Sequence, residues 1–223
     1  MNLDGTNSDL LSLTTGVPQG SVLGPLLFLI FINDIGFIPN LKHKSKLFAD
    51  DTNIFVNGTS PADLQFKCQN VLNVLSDWLL ANKLSVNYDK THYMIFSPPH
   101  QLDSNLKLNL SMNNFFISRV PSTKFLGVTP DETLSGKTHI SEVCMSLRKF
   151  IGIFYKLAQK LPPATLKLLY FSFVYPHILY GIEAYANTFL TNLHDVIILN
   201  NRILRILKHK KLILTQRSCI CYI

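Results

Sequence analysis

The chain has 223 residues, 47% of them apolar, and a mean hydropathy of +0.20. That length and apolar content exclude an intrinsically disordered chain and allow one or two domains with a buried core. A formal charge of +7 and a pI of about 9.2 favour a polyanionic partner, although an ordinary basic protein has the same balance.

Residues 1–13 are polar and carry no basic-then-apolar leader pattern. Pro18-Gln19-Gly20 predicts a loop feeding a helix, with Ser21 as N-cap and Pro25 in the first turn. The run from Val22 to Ile32 is apolar nearly all round, which predicts a buried helix. It contains Gly24 and Pro25, stops at Asn33-Asp34 and is too short to cross a bilayer. Lys42, Lys44 and Lys46 alternate with His43, Ser45 and Leu47, the period of a strand with one basic face. Asn53 to Val56 supplies a return strand, which places Asp50-Asp51 at a hairpin turn.

Asn57-Gly58 ends that strand, and Ser60-Pro61 opens a helix. Leu64, Cys68, Val71, Leu72, Leu75, Trp78 and Leu79 form its buried stripe, and Asn82-Lys83 ends it. Thr91 to Phe96 predicts a strand broken by Pro98-Pro99. Short strands follow at Leu106 to Leu110, Phe115 to Ile117 and Phe125 to Val128. From residue 137 the period becomes helical, with Ile140, Val143, Leu147, Ile151 and Phe154 on one stripe. Pro162-Pro163 separates a second helix through Leu168-Leu169, and a third covers 193–209. Leu166 to Tyr185 is apolar but interrupted by Pro176, His177 and Glu183, which favours buried helices over a membrane span. Cys68, Cys144, Cys219 and Cys221 lack zinc-site spacing and read as free thiols of a reducing compartment.

Phe48-Ala49-Asp50-Asp51 sets two carboxylates side by side between apolar stretches. Like charges repel and must be desolvated together, so the pair is a poor choice for stability. It is a good choice for divalent ions, whose charge reverses that cost. Taken alone, an Asp-Asp pair also fits a solvated turn.

Other segments accompany it in a fixed order. Gly16-Val17-Pro18-Gln19-Gly20-Ser21-Val22-Leu23-Gly24-Pro25-Leu26-Leu27-Phe28 and Asn33-Asp34 precede it. Thr52 extends it, and Asn82-Lys83-Leu84 and Asn87-Tyr88-Asp89-Lys90-Thr91 follow. Lys124-Phe125-Leu126-Gly127-Val128 and Tyr180-Gly181-Ile182-Glu183 close the series. The ordered set resembles the reverse transcriptase of LINE-type (non-LTR), Jockey-like retrotransposons across residues 12–208.

The resemblance implies an α+β fold. The C-terminal part of a right-hand polymerase palm, with a catalytic β-hairpin, would occupy residues 1–100. Short strands at a palm–thumb junction would occupy 101–135, a helical thumb 136–212 and an irregular tail 213–223. It implies RNA-directed DNA synthesis from an RNA template, a DNA primer and deoxynucleoside triphosphates, with two magnesium ions bridging the attacking and leaving oxygens and no membrane partner. Asp50 would be the main metal ligand and Asp51 its helper. Pro18, Gln19, Gly20 and Ser21 would lie under the template base and incoming nucleotide, with Gln19 on the template side and Ser21 steadying the loop.

Lys90 would stand near the triphosphate and neutralise or protonate the leaving pyrophosphate, with Asn87 shaping its turn. Phe125, Leu126 and Gly127 resemble the hairpin that grips the primer. Lys42, Lys44 and Lys46 could touch phosphates near the site, and Arg202, Arg205, Lys208, Lys210 and Lys211 could track the duplex backbone. Read singly, Lys90 also fits a surface lysine, Phe125 to Val128 an ordinary strand pair and each basic cluster a solvated face.

Departures from the family pattern bear on activity. The family's further catalytic aspartate lies on a strand well before the Pro-Gln-Gly loop, and the fingers subdomain also lies upstream. Asp4 and Asp9 sit too close to the loop and lack an apolar strand around them. Gly136 stands where the family usually has tryptophan, and Pro130 falls where a backbone donor is expected. A misplacement of about 1 Å can cost roughly 100-fold in rate, so this chain alone is expected to be inactive as a polymerase. Two other readings stand beside that one. The first is a non-catalytic nucleic-acid-binding remnant of a transposon, and the second a helical interaction module on residues 137–209.

Overall fold

The computed structural model describes residues 2–3, 6–7, 16–17, 20–38, 45–101, 103 and 105–208. Pro18, Gln19, Lys42, Lys44, Lys210, Lys211 and the tail 213–223 therefore lie outside the described residues. Helices and short strands are mixed, so the fold class is α+β. The chain divides into two compact units, one of residues 1–91 with 107–118, the other of 92–106 with 119–223.

In the first unit, helix α1 spans Gly24–Ile32 and runs into a 3-10 turn, Asn33–Phe37. The expected N-cap is corrected: Leu23, which makes no side-chain cap bond, takes that place, and Ser21 Oγ instead accepts the Gly24 N–H at 3.0 Å from the turn ahead of the helix. The expected burial of this helix is corrected. Val22, Leu23, Leu26, Leu27, Leu29, Ile30 and Phe31 are exposed. Only Gly24 and Ile32 are buried, with Phe28 half-buried between them, one line of residues four apart. A helix that is apolar all round needs cover on every side, and the described residues cover that single line.

Strands β1 (Ser45–Phe48) and β2 (Asp51–Ile54) form an antiparallel hairpin in the register Ser45↔Ile54, Lys46↔Asn53, Leu47↔Thr52 and Phe48↔Asp51. Helix α2 (Pro61–Ala81) follows. Ser60 accepts the Asp63 N–H, Pro61 takes the first turn, and Lys83 leaves the helix with φ +55°. Val71, Leu75 and Ser76 are its buried residues.

Two glutamines of α2 hold residues 109–111 through the backbone. Gln65 Oε1 accepts the Asn109 N–H at 3.2 Å. Gln69 accepts the Ser111 N–H at 3.0 Å and donates to the Ser111 carbonyl at 2.7 Å. The expected strand at Leu106 to Leu110 is thus corrected. The strands there are β3 (Ser111–Met112) and β4 (Phe115–Phe116), joined through Asn113 and Asn114 at φ +49° and +67°. Asparagine tolerates that left-handed geometry, which two-residue hairpin turns favour. The strand expected over Thr91 to Phe96 is reduced to His92–Tyr93 in the second unit.

The second unit is built on α3 (Lys137–Lys160), α4 (Pro163–Leu169), α5 (Tyr175–Leu179), α6 (Ile182–Tyr185) and α7 (Leu190–Lys208). Ile140, Val143, Leu147 and Phe154 of α3 are buried, as their spacing predicts, and α3 packs along α7. Leu166, Tyr170, Val174 and Ile178 continue the core at intervals of four. A π-helical turn, Tyr170–Val174, lies just ahead of Pro176, and the Tyr175 N–H reaches back to the Tyr170 carbonyl. Proline removes a donor and crowds the carbonyl four residues back, and a widened turn relieves that crowding. Asn200, buried on α7, accepts the Tyr170 hydroxyl at 2.8 Å. Among the described residues no helix is long and apolar enough to cross a membrane.

Candidate functional site

In the first unit, Ala49 and Asp50 are the two central residues of the β1–β2 turn, while Asp51 already pairs with Phe48. Ala49 has φ +51°. An L-residue in the left-handed region gives up about 1–2 kcal/mol, yet positive φ matches the strand twist of a two-residue hairpin. The strain therefore sits immediately before Asp50, and both carboxylates are exposed at the tip. Their hard oxygen donors suit magnesium, which is commonly held by one or two carboxylates with water and phosphate oxygens completing the shell. Among the described residues, no group of three or more His, Cys, Asp or Glu side chains could hold a metal ion. The pair fits one ion better than a complete two-ion site.

Gly20 has φ +85°, and a Cβ built there meets nothing within 4 Å. Ser21 beside it is tied to the start of α1. Lys90 closes a 3-10 turn, Tyr88–Lys90, and is exposed. Asn87 shapes this turn as expected, since its Oδ1 accepts the Lys90 N–H at 3.3 Å and its carbonyl accepts the Thr91 hydroxyl at 2.8 Å. Tyr88 stacks on Phe115 with centroids 4.2 Å apart and accepts from Asn113 Nδ2 at 3.0 Å. No sequence signal pointed to that support. Lys46 lies on β1 and is exposed.

In the second unit, Phe125 to Val128 is a tight turn and not the strand expected. The Phe125 N–H donates to the Val128 carbonyl at 2.7 Å, and the Val128 N–H returns at 2.9 Å. Leu126 and Gly127, the central pair, have φ +46° and +83°. Just beyond, the Thr129 N–H donates to His139 Nδ1 at 3.4 Å, and the Thr129 hydroxyl donates to Glu142 at 2.8 Å.

His139 is buried against the Tyr185 ring, centroids 4.9 Å apart, and its Nε2 has no hydrogen-bond partner among the described residues. Burial holds His139 below the usual histidine range, with Glu142 pulling it up and Lys124 pushing it down. Burial raises Asp131, but donors from Ser135 and Thr133 outweigh it and leave that carboxyl below its ordinary value. Arg119 and Glu132 form a buried pair at 2.7 Å. Arg202, Arg205 and Lys208 are exposed on α7. Gly136 takes φ +71° just before α3, and a Cβ there would meet the Tyr185 carbonyl at 3.2 Å, so glycine suits this position.

The reverse transcriptase (RNA-dependent DNA polymerase) family matches residues 2–130. The chain is 28% identical over 214 residues to the RNA-directed DNA polymerase from mobile element jockey of Drosophila funebris, covering 91% of this chain and 23% of that protein. Its Drosophila melanogaster counterpart is 26% identical over 214 residues, covering 92% and 23%. A probable RNA-directed DNA polymerase from transposon BS of the same species is 26% identical over 200 residues, covering 85% and 22%. The chain thus spans about a quarter of the length of the curated relatives it matches. No solved structure matches it.

Proposed function

The chain belongs to the reverse transcriptase family, of the Jockey-like LINE type, and on that premise we propose that it carries a palm segment and a helical thumb of an RNA-directed DNA polymerase. One observation supports this reading most. Asp50 and Asp51 stand exposed at the tip of a two-stranded hairpin, where a nucleotidyl-transfer site needs carboxylates.

Asp50 would be the main magnesium ligand and Asp51 its helper. Magnesium bound there would neutralise phosphate charge and sharpen the primer 3′ hydroxyl as a nucleophile. Pro18, Gln19, Gly20 and Ser21 would form the floor under the template base and the incoming deoxynucleoside triphosphate. Lys90, exposed on a short turn, would neutralise or protonate the leaving pyrophosphate. Phe125, Leu126 and Gly127 would meet the primer strand. Lys42, Lys44 and Lys46 would contact phosphates, and Arg202, Arg205 and Lys208 would follow the duplex of RNA template and DNA primer.

Two carboxylates from one turn are fewer than two ions require. That favours a second reading for these 223 residues taken alone, in which they bind nucleic acid without catalysing extension. The test is primer extension on an RNA template with magnesium, comparing the chain with Asp50→Ala, alongside duplex binding at rising salt. Neither chain should extend the primer, and both should bind duplex and release it as salt rises. Extension that vanishes in Asp50→Ala would overturn the inactivity. Loss of both activity and binding would overturn the nucleic-acid reading. Manganese, replacing magnesium, should broaden the amide resonances of Asp50 and Asp51, and no broadening would remove the metal assignment.

A further inference from the structure

Tyr180-Gly181-Ile182-Glu183 belongs to the ordered motif set but has no part in the chemistry described so far. In the second unit its first two residues lie against the turn Phe125 to Val128. The Tyr180 hydroxyl donates to the Leu126 carbonyl. A Cβ on Gly127 would stand 2.7 Å from Tyr180 Cε1 and 3.1 Å from its hydroxyl oxygen, so the ring lies on bare glycine backbone. A Cβ on Gly181 would stand 2.5 Å from Val128 Cγ2. Each glycine removes the side chain that would hold the two segments apart.

The corner carrying Tyr180 is itself fixed. The Tyr180 N–H donates to the Pro176 carbonyl at 2.9 Å, and the Gly181 carbonyl accepts the Ala184 N–H at 2.9 Å. Tyr185, buried below, donates its hydroxyl to the Ile178 carbonyl. The turn is also tied beyond its end, through Thr129 to His139 and Glu142 on α3. Tyr180 remains 57% exposed, so apolar burial does not explain its placement. Its hydroxyl and its face on Gly127 do.

We propose that Tyr180, seated by Gly181, is a positioning residue that fixes the attitude of the turn Phe125 to Val128 and through it the primer 3′ end. This rests on the primer-facing reading of that turn. The turn contains a non-glycine residue at φ +46°, a geometry that persists only where its surroundings hold it. The Tyr180 hydroxyl is the restraint at the tip.

The experiment uses the full chain as wild type, as Tyr180→Phe, which removes only the hydroxyl, and as Tyr155→Phe, an exposed tyrosine of α3 serving as control. Hydrogen–deuterium exchange of peptides covering residues 124–130 reads the restraint without reference to polymerisation. Photo-cross-linking from a primer–template duplex with a photoreactive nucleotide at the primer 3′ end reads the contact. In Tyr180→Phe, exchange should rise by about 2- to 10-fold, as for losing one hydrogen bond. The cross-link yield to 124–130 should fall by a similar factor, while duplex affinity stays put and the thermal midpoint falls by only a few degrees. Tyr155→Phe should match wild type.

Unchanged exchange in Tyr180→Phe would overturn the proposal whatever the cross-link does. Faster exchange with an unchanged cross-link would overturn the positioning role. Faster exchange with no cross-link to the turn in any chain would uphold the restraint and overturn the primer-facing reading.

Discussion

His139 is the third residue of α3, buried, and its neutral ring accepts the Thr129 N–H on one nitrogen. Burial disfavours the charged form, so its folded pKa lies below the ordinary value of 6.5. The sign of the pH dependence follows. Above 6.5 neither the folded nor the unfolded state binds this proton, and stability is unaffected. As pH falls below that value the unfolded chain takes the proton first, so stability drops until the folded pKa is passed. Glu142 and Lys124 act on the ring with opposite signs and do not reverse the direction. Asp131 also has a depressed pKa, but its contribution is lost only in the carboxylate range, well below this window. The thermal midpoint should therefore fall between pH 7 and pH 5, and His139→Gln, which keeps an acceptor but cannot titrate, should flatten that fall. Parallel midpoint curves for the two proteins would exclude His139 as the group responsible.

Among the elements, α2 has the most explicit start. Ser60 accepts the Asp63 N–H, and the Asp63 carboxylate accepts the Thr59 N–H at 2.9 Å while pairing with Lys67 at 2.7 Å. The Lys67 pairing and the Thr59 N–H lower the Asp63 pKa, but both side chains of the pair remain open to solvent and the pair adds little stability. The cap is worth more. Ser60→Ala should cost about 1 kcal/mol and Ser60→Gly only a few tenths, read from urea unfolding of α2. Equal costs for the two would argue that the hydroxyl is not the cap.

Such boundaries were legible because their signals are local. Ser60-Pro61 and Pro162-Pro163 each act on the turn they begin. The hairpin around Asp50 was legible for the same reason, since two short strands flank a two-residue turn, although that turn is Ala49-Asp50 and Asp51 already belongs to the return strand. What failed depended on distant partners. The burial of α1 needs other segments to cover it, and periodicity cannot supply them. Leu106 to Leu110 alternates like a strand, yet backbone bonds nearby go to Gln65 and Gln69, more than 40 residues earlier in the chain. Tyr180 and Leu126 are separated by 54 residues, and no pattern within either segment names the other.

For the whole molecule, the two units are built unequally. The second has a continuous aliphatic and aromatic core, in which Leu147, Leu166, Val174, Ile203 and Leu207 are fully buried. Each such side chain contributes roughly 1.5–3 kcal/mol of burial. The first unit leaves most of α1 exposed and buries only Val71, Leu75 and Ser76 along its longest helix. Residues 107–118 belong to the first unit although their flanks belong to the second, so opening the first unit frees a loop within the second chain path. The entropy of a longer loop changes slowly with length, so the second unit can tolerate that release.

Unfolding should therefore proceed in two steps, with the first unit opening at lower urea. The chain supplies a probe for each step. Trp78, its single tryptophan, lies half-buried on α2 in the first unit. Helical circular dichroism is weighted towards the second unit, where α3 and α7 have 24 and 19 residues. Tryptophan fluorescence should change at lower urea than the larger part of the dichroism signal. Low protein concentration is needed, because the exposed face of α1 favours aggregation. Coincident transitions by the two probes would mean that the units unfold together.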